Sequence, residues 1–421
     1  MHNPLRKPRK SNFPALILLC GIGILSLPLR AEVVSDWNAT AVTVVNDPTL
    51  GSLGRQIPYL SMVHAAIYDA VNGIDRRYTV LGVSPTSDTR GASKQAAAAS
   101  AAYHLLLELF PAQQSLLDSA YTNSLSAIRD GIAKTKGIAI GQEVAAAWIE
   151  LRDGDGRDLP APPYIPGTEP GDYQLTGPPP ILTWLGGMRP FTLKYASQFR
   201  AYGPPDLTSH QYARDLNMVK KLGSATSTER TAEETEIAMF HTENPNIFWW
   251  RNFRDLAAAM RLDTAESARF FALLVIGQGD AIQACFDSKY HFNFWRPLTA
   301  VPAADLDDNP ATKADPAWSP LAPTPPHPEY PAAHACAAGL TAEVLEHFFG
   351  KKHFVMTFRS TVPGSVPHTF HSANDLVEEI IMARVYGGMH FATSGVHGAV
   401  LGRRVGQWIT SKYFLPVKRP E

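Results

Sequence analysis

The chain has 421 residues, of which 45% are hydrophobic and 18% are charged. This composition is typical of a globular protein and excludes a disordered chain. The formal net charge is -1, so the sequence lacks the basic excess that nucleic-acid-binding proteins carry, and we expect no nucleic-acid partner.

Residues 1–31 have the pattern of a secretory signal peptide. Basic residues within positions 6–10 precede an apolar run over 13–29, and Ala31 offers a small residue for cleavage. The run of about 17 residues is marginal for crossing a bilayer. We therefore expect a secreted or periplasmic protein with no stable membrane span after cleavage, and an uncleaved anchor is the alternative. Without this segment the chain has 33 basic and 39 acidic side chains, so an anion site would need a local basic cluster.

Alanine-rich stretches with apolar residues at helical spacing dominate the remaining chain and predict a mostly helical, all-α fold. The predicted helices cover residues 61–72 (ending at Gly73), 92–110, 113–130, 137–152, 208–222, 333–349, 372–388 and 396–412. Capping-box sequences beginning at Thr231 and Asp263 predict two more helices, the second of which runs towards Lys289.

Residues 160–190 contain nine prolines, which exclude a helix or a central strand. Tyr164, Tyr173 and Trp184 in this stretch indicate an ordered belt that packs on the helices, because a flexible linker would have fewer rings to bury. We therefore expect no domain boundary here. Residues 32–421 are predicted to form a single helical domain, with its functional core at about 231–421.

Three clusters of charged residues follow one another along the chain. The first contains Lys289 and Arg296, the second contains His334, and the third contains Arg384 and His390. Together they suit a tetrahedral oxyanion, because fixed cations can neutralise its charge. One imidazole could then bond to the central atom while the other moves a proton.

Lys289 and Arg296 are seven residues apart, so on one helix they would point the same way. We expect Pro297 to end that helix. Such a pair is often a solvated stripe, but the aromatic residues around it (Tyr290, Phe292, Phe294 and Trp295) favour a partly buried site.

Arg384 and His390 would point apart on a straight helix. Gly387-Gly388 between them is expected to break the helix and to bring both side chains to one point. His334 lies at a predicted helix start, where free backbone N–H groups and the helix dipole favour an anion.

The order and spacing of these residues resemble the vanadium-dependent haloperoxidases and the related type 2 phosphatidic-acid phosphatases. The family pattern is Lys, six residues, Arg-Pro; then Pro-Ser-Gly-His; then Ser-Arg, three residues, Gly, one residue, His, three residues, Asp. The positions that match are Lys289, Arg296, Pro297, Pro331, His334, Arg384, Gly388 and His390. The likeness extends over Leu60–Tyr78, the proline belt and the PPHPEYP sequence at 325–331, and covers almost the whole chain after residue 31.

The resemblance implies a haloperoxidase-like fold of helical bundles and vanadate as cofactor, with phosphate able to occupy the same site. It implies that Lys289, Arg296 and Arg384 hold the equatorial oxygens of the anion. His390 would be the axial ligand to vanadium, or the nucleophile towards phosphorus, and His334 would be the acid–base residue. The implied reaction is oxidation of halide or an organic small molecule by hydrogen peroxide.

Some neutral residues of the family pattern are replaced. Ala332 and Ala333 stand at the Ser and Gly of the oxyanion site, and the loss of one charge-assisted hydrogen bond there costs roughly 1.5–3 kcal/mol. Ser394 stands at the Asp four residues after His390, so the partner that orients His390 is weaker or comes from elsewhere.

These replacements leave two further interpretations open. One is an exported acid phosphatase that cleaves a phosphate ester through a phosphohistidine intermediate, and the other is a non-catalytic anion-binding relative. A zinc hydrolase is not supported, because the 14 histidines form no HExxH sequence. Cys285 and Cys336 are either buried thiols or a single bridge. The oligomeric state is not predicted.

Overall fold

The computed structural model describes residues 32–47, 55–350 and 353–417. Within them the chain is mostly helical, with a single two-stranded antiparallel hairpin, which confirms the all-α prediction. The predicted signal peptide at residues 1–31 lies outside the described residues and stays a prediction.

Two long stretches, residues 152–209 and 301–332, contain only short 3-10 turns and interrupt the succession of helices. Their bounds are α1 Val33–Val45, α2 Gln56–Asp75, α3 Lys94–Leu109, α4 Gln114–Ser126, α5 Ile132–Leu151, α6 His210–Leu222, α7 Ala232–Phe240, α8 Pro245–Ala259, α9 Thr264–Phe292, α10 Pro297–Ala300, α11 Ala333–Phe349, α12 Ala373–Tyr386 and α13 Ala392–Lys412. The hairpin strands are β1 His353–Phe358 and β2 His368–Ser372, which lie between α11 and α12.

Capping side chains set the starts of the helices that lead to the functional site. Thr231 and Glu234 form a complete capping box at α7, as predicted. Asp263 and Glu266 do the same at α9. Each box satisfies two backbone N–H groups that would otherwise lack an acceptor, so these helix starts are fixed locally by sequence.

Helix α2 runs past Gly73, where the sequence predicted its end, and stops at Asp75. Gly73 allows Pro85 to pack closely against α2, because a Cβ atom at this position would lie 2.5 Å from Cγ of Pro85. The helix ends instead because Arg76 adopts a left-handed conformation with φ of 54°. Helices α1 and α8 and the hairpin were not predicted.

Helix α9 is the centre of the core and packs against α2, α11 and α13. By length and composition alone it could cross a membrane, but 89% of its most apolar window is buried inside the protein. This burial is typical of the core helix of a globular domain, so the length and apolar composition of α9 are only weak evidence that it spans a membrane.

The proline belt at 160–190 is ordered and lies on α9, which confirms that prediction. Tyr173 is fully buried and Trp184 is 5% exposed. The Gln283 side-chain amide donates to the carbonyl oxygen of Leu185, and the Tyr290 hydroxyl donates to that of Ile181.

The C-terminal segment returns to the end of α2. The amide of Thr79 donates to the carbonyl oxygen of Leu415, and the amide of Val417 donates to that of Arg77. Phe414 is fully buried, with its ring 4.7 Å from that of Tyr68. The last described residues therefore pair directly with the segment that follows α2.

Helices α11 and α13 approach each other closely because small residues line their contact. A Cβ atom at Gly402 would lie 2.0 Å from the carbonyl oxygen of Cys336, and one at Gly339 would lie 2.1 Å from that of Ala399. These contacts are with backbone atoms, so the helices could accommodate a side chain only by moving apart.

We predict that Gly402→Ala lowers the free energy of unfolding by about 1–3 kcal/mol, because the added methyl group forces α11 and α13 apart. Urea denaturation followed by circular dichroism measures this change. Gly186→Ala is the control, since a Cβ atom there meets no heavy atom within 4 Å. Equal stability of the two variants would contradict the prediction.

Candidate functional site

The five charged residues singled out in the sequence are brought together. Lys289 and Arg296 are fully buried, Arg384 and His390 are 2% and 1% exposed, and His334 is half-buried. Nη1 of Arg296 lies 3.0 Å from Nε2 of His390. His334 is close enough to Arg384, Lys289 and Arg296 that their charges contribute to lowering its pKa.

Lys289 and Arg296 do not share a helix, which corrects the sequence prediction. Helix α9 ends at Phe292 because Asn293 adopts a left-handed conformation with φ of 52°. The next residues are extended along the proline belt, where the amide of Trp295 donates to the carbonyl oxygen of Gly171. Arg296 is consequently the N-cap of α10, and tertiary pairing brings it to Lys289 where helical spacing does not.

Carbonyl oxygens hold the Lys289 ammonium in place. Its Nζ donates to the carbonyl oxygens of Pro328 at 2.8 Å and Glu329 at 2.9 Å. An ammonium has three N–H donors, so one remains for a ligand. Burial, together with the nearby guanidinium of Arg296, lowers the pKa of Lys289 to about 8.

The Arg296 guanidinium is fixed in the same way. Its Nε donates to the carbonyl oxygen of His327 at 2.9 Å, and its Nη1 donates to that of Met389 at 2.8 Å. Its Nη2 lies 2.9 Å from Nδ1 of His327. Burial lowers the pKa of Arg296 to about 10.

The chain reverses between Arg384 and His390, as the two glycines predicted. Helix α12 ends at Tyr386, and Gly388 has a φ of +72°. A Cβ atom at Gly388 would also lie 2.5 Å from the carbonyl oxygen of Gly223. The amides of Met389 and His390 both return to the carbonyl oxygen of Arg384, at 3.0 and 3.3 Å.

Arg384 is the least satisfied of the three cations. Its Nη2 contacts Sδ of Met389, and its Nη1 makes a long 3.4 Å contact with the carbonyl oxygen of His241. Its Nε is buried without a hydrogen-bond partner among the described residues. Burial and the charge of Arg296 lower the pKa of Arg384 to about 9.

Glu329 orients His390, and the sequence did not identify it. Nδ1 of His390 lies 2.8 Å from Oε1 of Glu329, which also accepts from the amide of Phe391. Ser394, at the position of the family's Asp, donates its hydroxyl to Oε2 at 2.5 Å. Since Arg296 can only donate to Nε2, the imidazole carries its proton on Nδ1 and directs the Nε2 lone pair towards the three cations.

Burial raises the pKa of Glu329 to about 7, while Ser394, Arg296 and Lys289 act in the opposite direction. The Glu329 carboxylate is hydrogen-bonded to His390, to the amide of Phe391 and to Ser394, and it feels the charges of Arg296 and Lys289. The site therefore has a local excess of positive charge. An anion bound there would relieve part of the cost of burying the cations.

Helix α11 presents its N-terminus and His334 to this region. It begins at Ala333, as predicted, and its N-cap Ala332 makes no side-chain capping bond. The first-turn amides of a helix lack intrahelical acceptors, so they can donate to an anion. Burial and the charge of Arg384 hold the pKa of His334 well below its usual range, which leaves a neutral imidazole able to take up a proton.

Cys285 and Cys336 are both buried free thiols, so the alternative of a bridge is wrong. Cys285 lies one turn before Lys289 on α9, with its Sγ 3.6 Å from the carbonyl oxygen of Pro331. A cavity of about 280 Å³ lies nearby between the proline belt and α9, and Phe286 and Tyr290 line it. None of the five charged residues lines this cavity.

His327 and Glu329 come from the PPHPEYP sequence at 325–331. That sequence contributed only to the family resemblance, and neither side chain was given a role. The signal that could have identified them is that a histidine and a glutamate alternate with prolines a few residues before His334. Their contacts to Arg296 and His390 are long-range, so no local spacing rule predicts them.

The family model described as the VCPO second helical-bundle domain matches residues 269–417. This range includes all five charged residues and also Glu329. Vanadium chloroperoxidase of Curvularia inaequalis is 30% identical over 127 residues, which are 28% of this chain and 20% of that protein. The match thus spans about a fifth of the curated relative.

Two solved structures have a similar fold. A bacterial vanadium-dependent iodoperoxidase superposes with a TM-score of 0.74 at 24% identity, over 92% of this chain and 97% of the other. A bacterial vanadium-dependent chloroperoxidase in its holo form superposes with a TM-score of 0.70 at 16% identity, over 90% and 97%. At these identities the likeness establishes the helical-bundle fold.

We predict that sulfate binding weakens as the pH rises above about 8, by up to tenfold per pH unit. Lys289 has its pKa lowered to about 8, so it is charged below that pH and loses its proton above it. Sulfate stays doubly charged throughout, so the change reports the protein alone. Titration calorimetry between pH 7.5 and 9 measures it. In the Lys289→Arg variant the affinity should fall less and only near pH 9, where Arg384 begins to lose its proton. A pH-independent affinity in the wild-type protein would contradict the prediction.

We predict that Glu329→Ala lowers the free energy of unfolding by about 3–5 kcal/mol, because it leaves buried donors and cations without their carboxylate. Adding Ser394→Asp returns a carboxylate beside His390 and should recover part of the loss. Urea denaturation measures both changes. The control Glu378→Ala removes an exposed carboxylate on α12 and should change stability by less than about 0.5 kcal/mol. An effect of Glu329→Ala no larger than that of the control would refute this account of the site.

Proposed function

Because residues 269–417 match the VCPO second helical-bundle domain, we propose that the chain belongs to the vanadium-dependent haloperoxidases and is a vanadate-dependent haloperoxidase-like enzyme. It uses hydrogen peroxide to oxidise a halide or an organic small molecule. The observation that carries the proposal is the lone pair of His390 Nε2, which accepts from Arg296 and lies in the field of the buried cations Lys289 and Arg384. Glu329 holds that imidazole in the tautomer that a ligand to vanadium requires.

The residues present fit vanadate. The unpartnered Nε of Arg384 and the excess of buried positive charge both call for an anionic ligand. Lys289, Arg296 and Arg384 would hold its oxygens, and His390 would bond to vanadium. The first-turn amides after Ala332 and Ala333 would replace the serine hydroxyl that this chain lacks. Phosphate offers the same charge and shape and competes for the same place.

Vanadate, when bound, supplies a Lewis-acid centre at which peroxide is activated for attack by the substrate. The protein contributes fixed positive charge from Lys289, Arg296 and Arg384, which needs no reorganisation because carbonyl oxygens already hold two of the three cations. His334 is neutral at ordinary pH and can accept a proton from peroxide on a ring nitrogen. Glu329 keeps the proton of His390 on Nδ1 throughout.

A second candidate function uses the same site without vanadium. His390 Nε2, backed by the Glu329 carboxylate, also has the arrangement of a histidine nucleophile. The protein would then be an acid phosphatase that forms a phosphohistidine, with His334 protonating the leaving alcohol. Vanadate would inhibit this reaction, whereas it is required for the first.

We also propose export to the periplasm or the medium, on the composition of residues 1–31. The substrates would then be small molecules that meet peroxide outside the cytoplasm. Fractionation of cells, with mass spectrometry of the mature N-terminus, tests this part independently of activity.

The deciding experiment measures bromide and iodide oxidation by peroxide before and after vanadate loading, beside hydrolysis of p-nitrophenyl phosphate without vanadate. Haloperoxidase function requires activity only after loading and its loss in His390→Ala. Hydrolysis that vanadate inhibits and His390→Ala abolishes would select the phosphatase. Phosphate stabilisation with neither activity would select a non-catalytic anion-binding protein.

We predict that Ala332→Ser binds vanadate about ten- to a hundredfold more tightly, because it restores a hydroxyl donor at the N-cap of α11. Protection against thermal unfolding over a vanadate titration measures this affinity. Ala338→Ser, which adds a hydroxyl at a buried position further along α11, is the control and should leave the affinity unchanged. An unchanged affinity in Ala332→Ser would mean that the backbone amides already satisfy the anion.

A further inference from the structure

A second group of ligand-type side chains lies outside the anion site. His241 at the end of α7, His368 on β2 and Glu379 on α12 place one donor atom each within 4.8 Å of the others. Nε2 of His241 lies 2.9 Å from Oε1 of Glu379, and Nδ1 of His368 lies 2.7 Å from the same oxygen. Three separate elements thus direct nitrogen and oxygen ligands to one point.

The rings are held in position by their surroundings. His368 stacks on Phe240 with ring centres 3.8 Å apart, and His241 packs edge-on against Phe248 at 5.5 Å. On its far side His368 places Nε2 2.7 Å from Oε2 of Glu236. A carboxylate behind the second ring nitrogen is the usual support of a histidine that binds a metal through its first.

The group holds more negative than positive charge. Both ring nitrogens of His368 face carboxylate oxygens, so in this state both carry protons and the ring is a cation. Two carboxylates against one imidazolium and a neutral His241 leave a net negative charge. A divalent ion in place of the protons between the rings and Glu379 would balance it better.

We propose that His241 Nε2, His368 Nδ1 and the Glu379 carboxylate form a binding site for a divalent transition metal ion such as Zn²⁺. Two imidazoles and one carboxylate are a ligand set that zinc accepts. Tetrahedral coordination separates ligand atoms by about 3.3 Å. The two contacts to Glu379 would widen by about half an ångström, and the two nitrogens, which lie within 4.8 Å of each other, would adjust to the same spacing. The side chain of Glu379 is 19% exposed, which leaves water access to a fourth position.

The metal site would support one wall of the anion site. Glu379 precedes Arg384 by five residues on α12, and the carbonyl oxygen of His241 contacts Nη1 of Arg384. An ion joining α7, β2 and α12 would fix the elements that carry the least satisfied of the three cations. Its role is structural, and it does not depend on the proposed peroxidase reaction.

The test uses the full chain, stripped with a chelator and then equilibrated with zinc-buffered solutions. Bound zinc is measured by elemental mass spectrometry after desalting, and the melting temperature is measured in parallel. We expect one tightly bound equivalent that raises the melting temperature. Glu379→Gln and His368→Gln should lose that equivalent, and Glu236→Gln should bind about ten- to a hundredfold more weakly.

The matched control is His371→Ala, which removes an exposed histidine from the same strand and should keep full binding. Unchanged binding in Glu379→Gln, or loss of binding in His371→Ala, would overturn the proposal. If a substitution prevents folding, the visible absorption spectrum of cobalt(II) added to the wild-type protein still tests whether the site binds a metal ion. Intense visible bands of a four- or five-coordinate ion support the site, and the weak spectrum of hydrated cobalt refutes it.

Discussion

Burying three cations close enough that the charge of Arg296 lowers the pKa values of Lys289 and Arg384 is the constraint on which the rest of the site depends. Each charge must be solvated by the protein, and here main-chain carbonyl oxygens do most of that work. The carbonyls that hold Lys289 and Arg296 come from the segment 327–329 and from Met389. The fold therefore has to deliver a proline-rich loop and a glycine-rich turn to the end of α9 before any ligand binds.

This solution to the charge problem also explains why neutral residues of the family pattern can change. Serine and aspartate side chains were expected around the anion and behind His390, and this chain has Ala332 and Ser394 at those positions. Glu329 supplies a carboxylate from a different segment, and Ser394 donates to it. The carboxylate contact to His390 is kept although the residue that makes it comes from another segment, so the residue at one position can change when a different segment reaches the same atom.

The sequence was sufficient for features that depend on local chemistry. The helical period, the capping boxes at Thr231 and Asp263 and the break at Gly388 all rest on residues within one or two turns, and the structure bears them out. The prediction that Lys289 and Arg296 share a helix was wrong, because the seven-residue spacing assumes that the helix continues through Asn293. In the protein that residue turns left-handed and pairs with the belt.

What the sequence could not show is the set of contacts between distant segments. Glu329 meets His390 across 61 positions, and His241 meets Glu379 across 138. Neither pair has a spacing that any secondary structure would produce. Motif-based reasoning found the cations because their order is characteristic of a family, and missed the groups that orient them because those groups are recognisable only in three dimensions.

The pairing of residues 415–417 with residues 77–79 has a consequence for how the chain folds. Thr79 and Leu415 are 336 positions apart, and contacts between such distant segments form slowly because a long loop must close first. Until they form, Tyr68 lacks the ring of Phe414 that packs on it. The end of α2 is therefore among the parts of the assembly that a folding intermediate would leave uncovered.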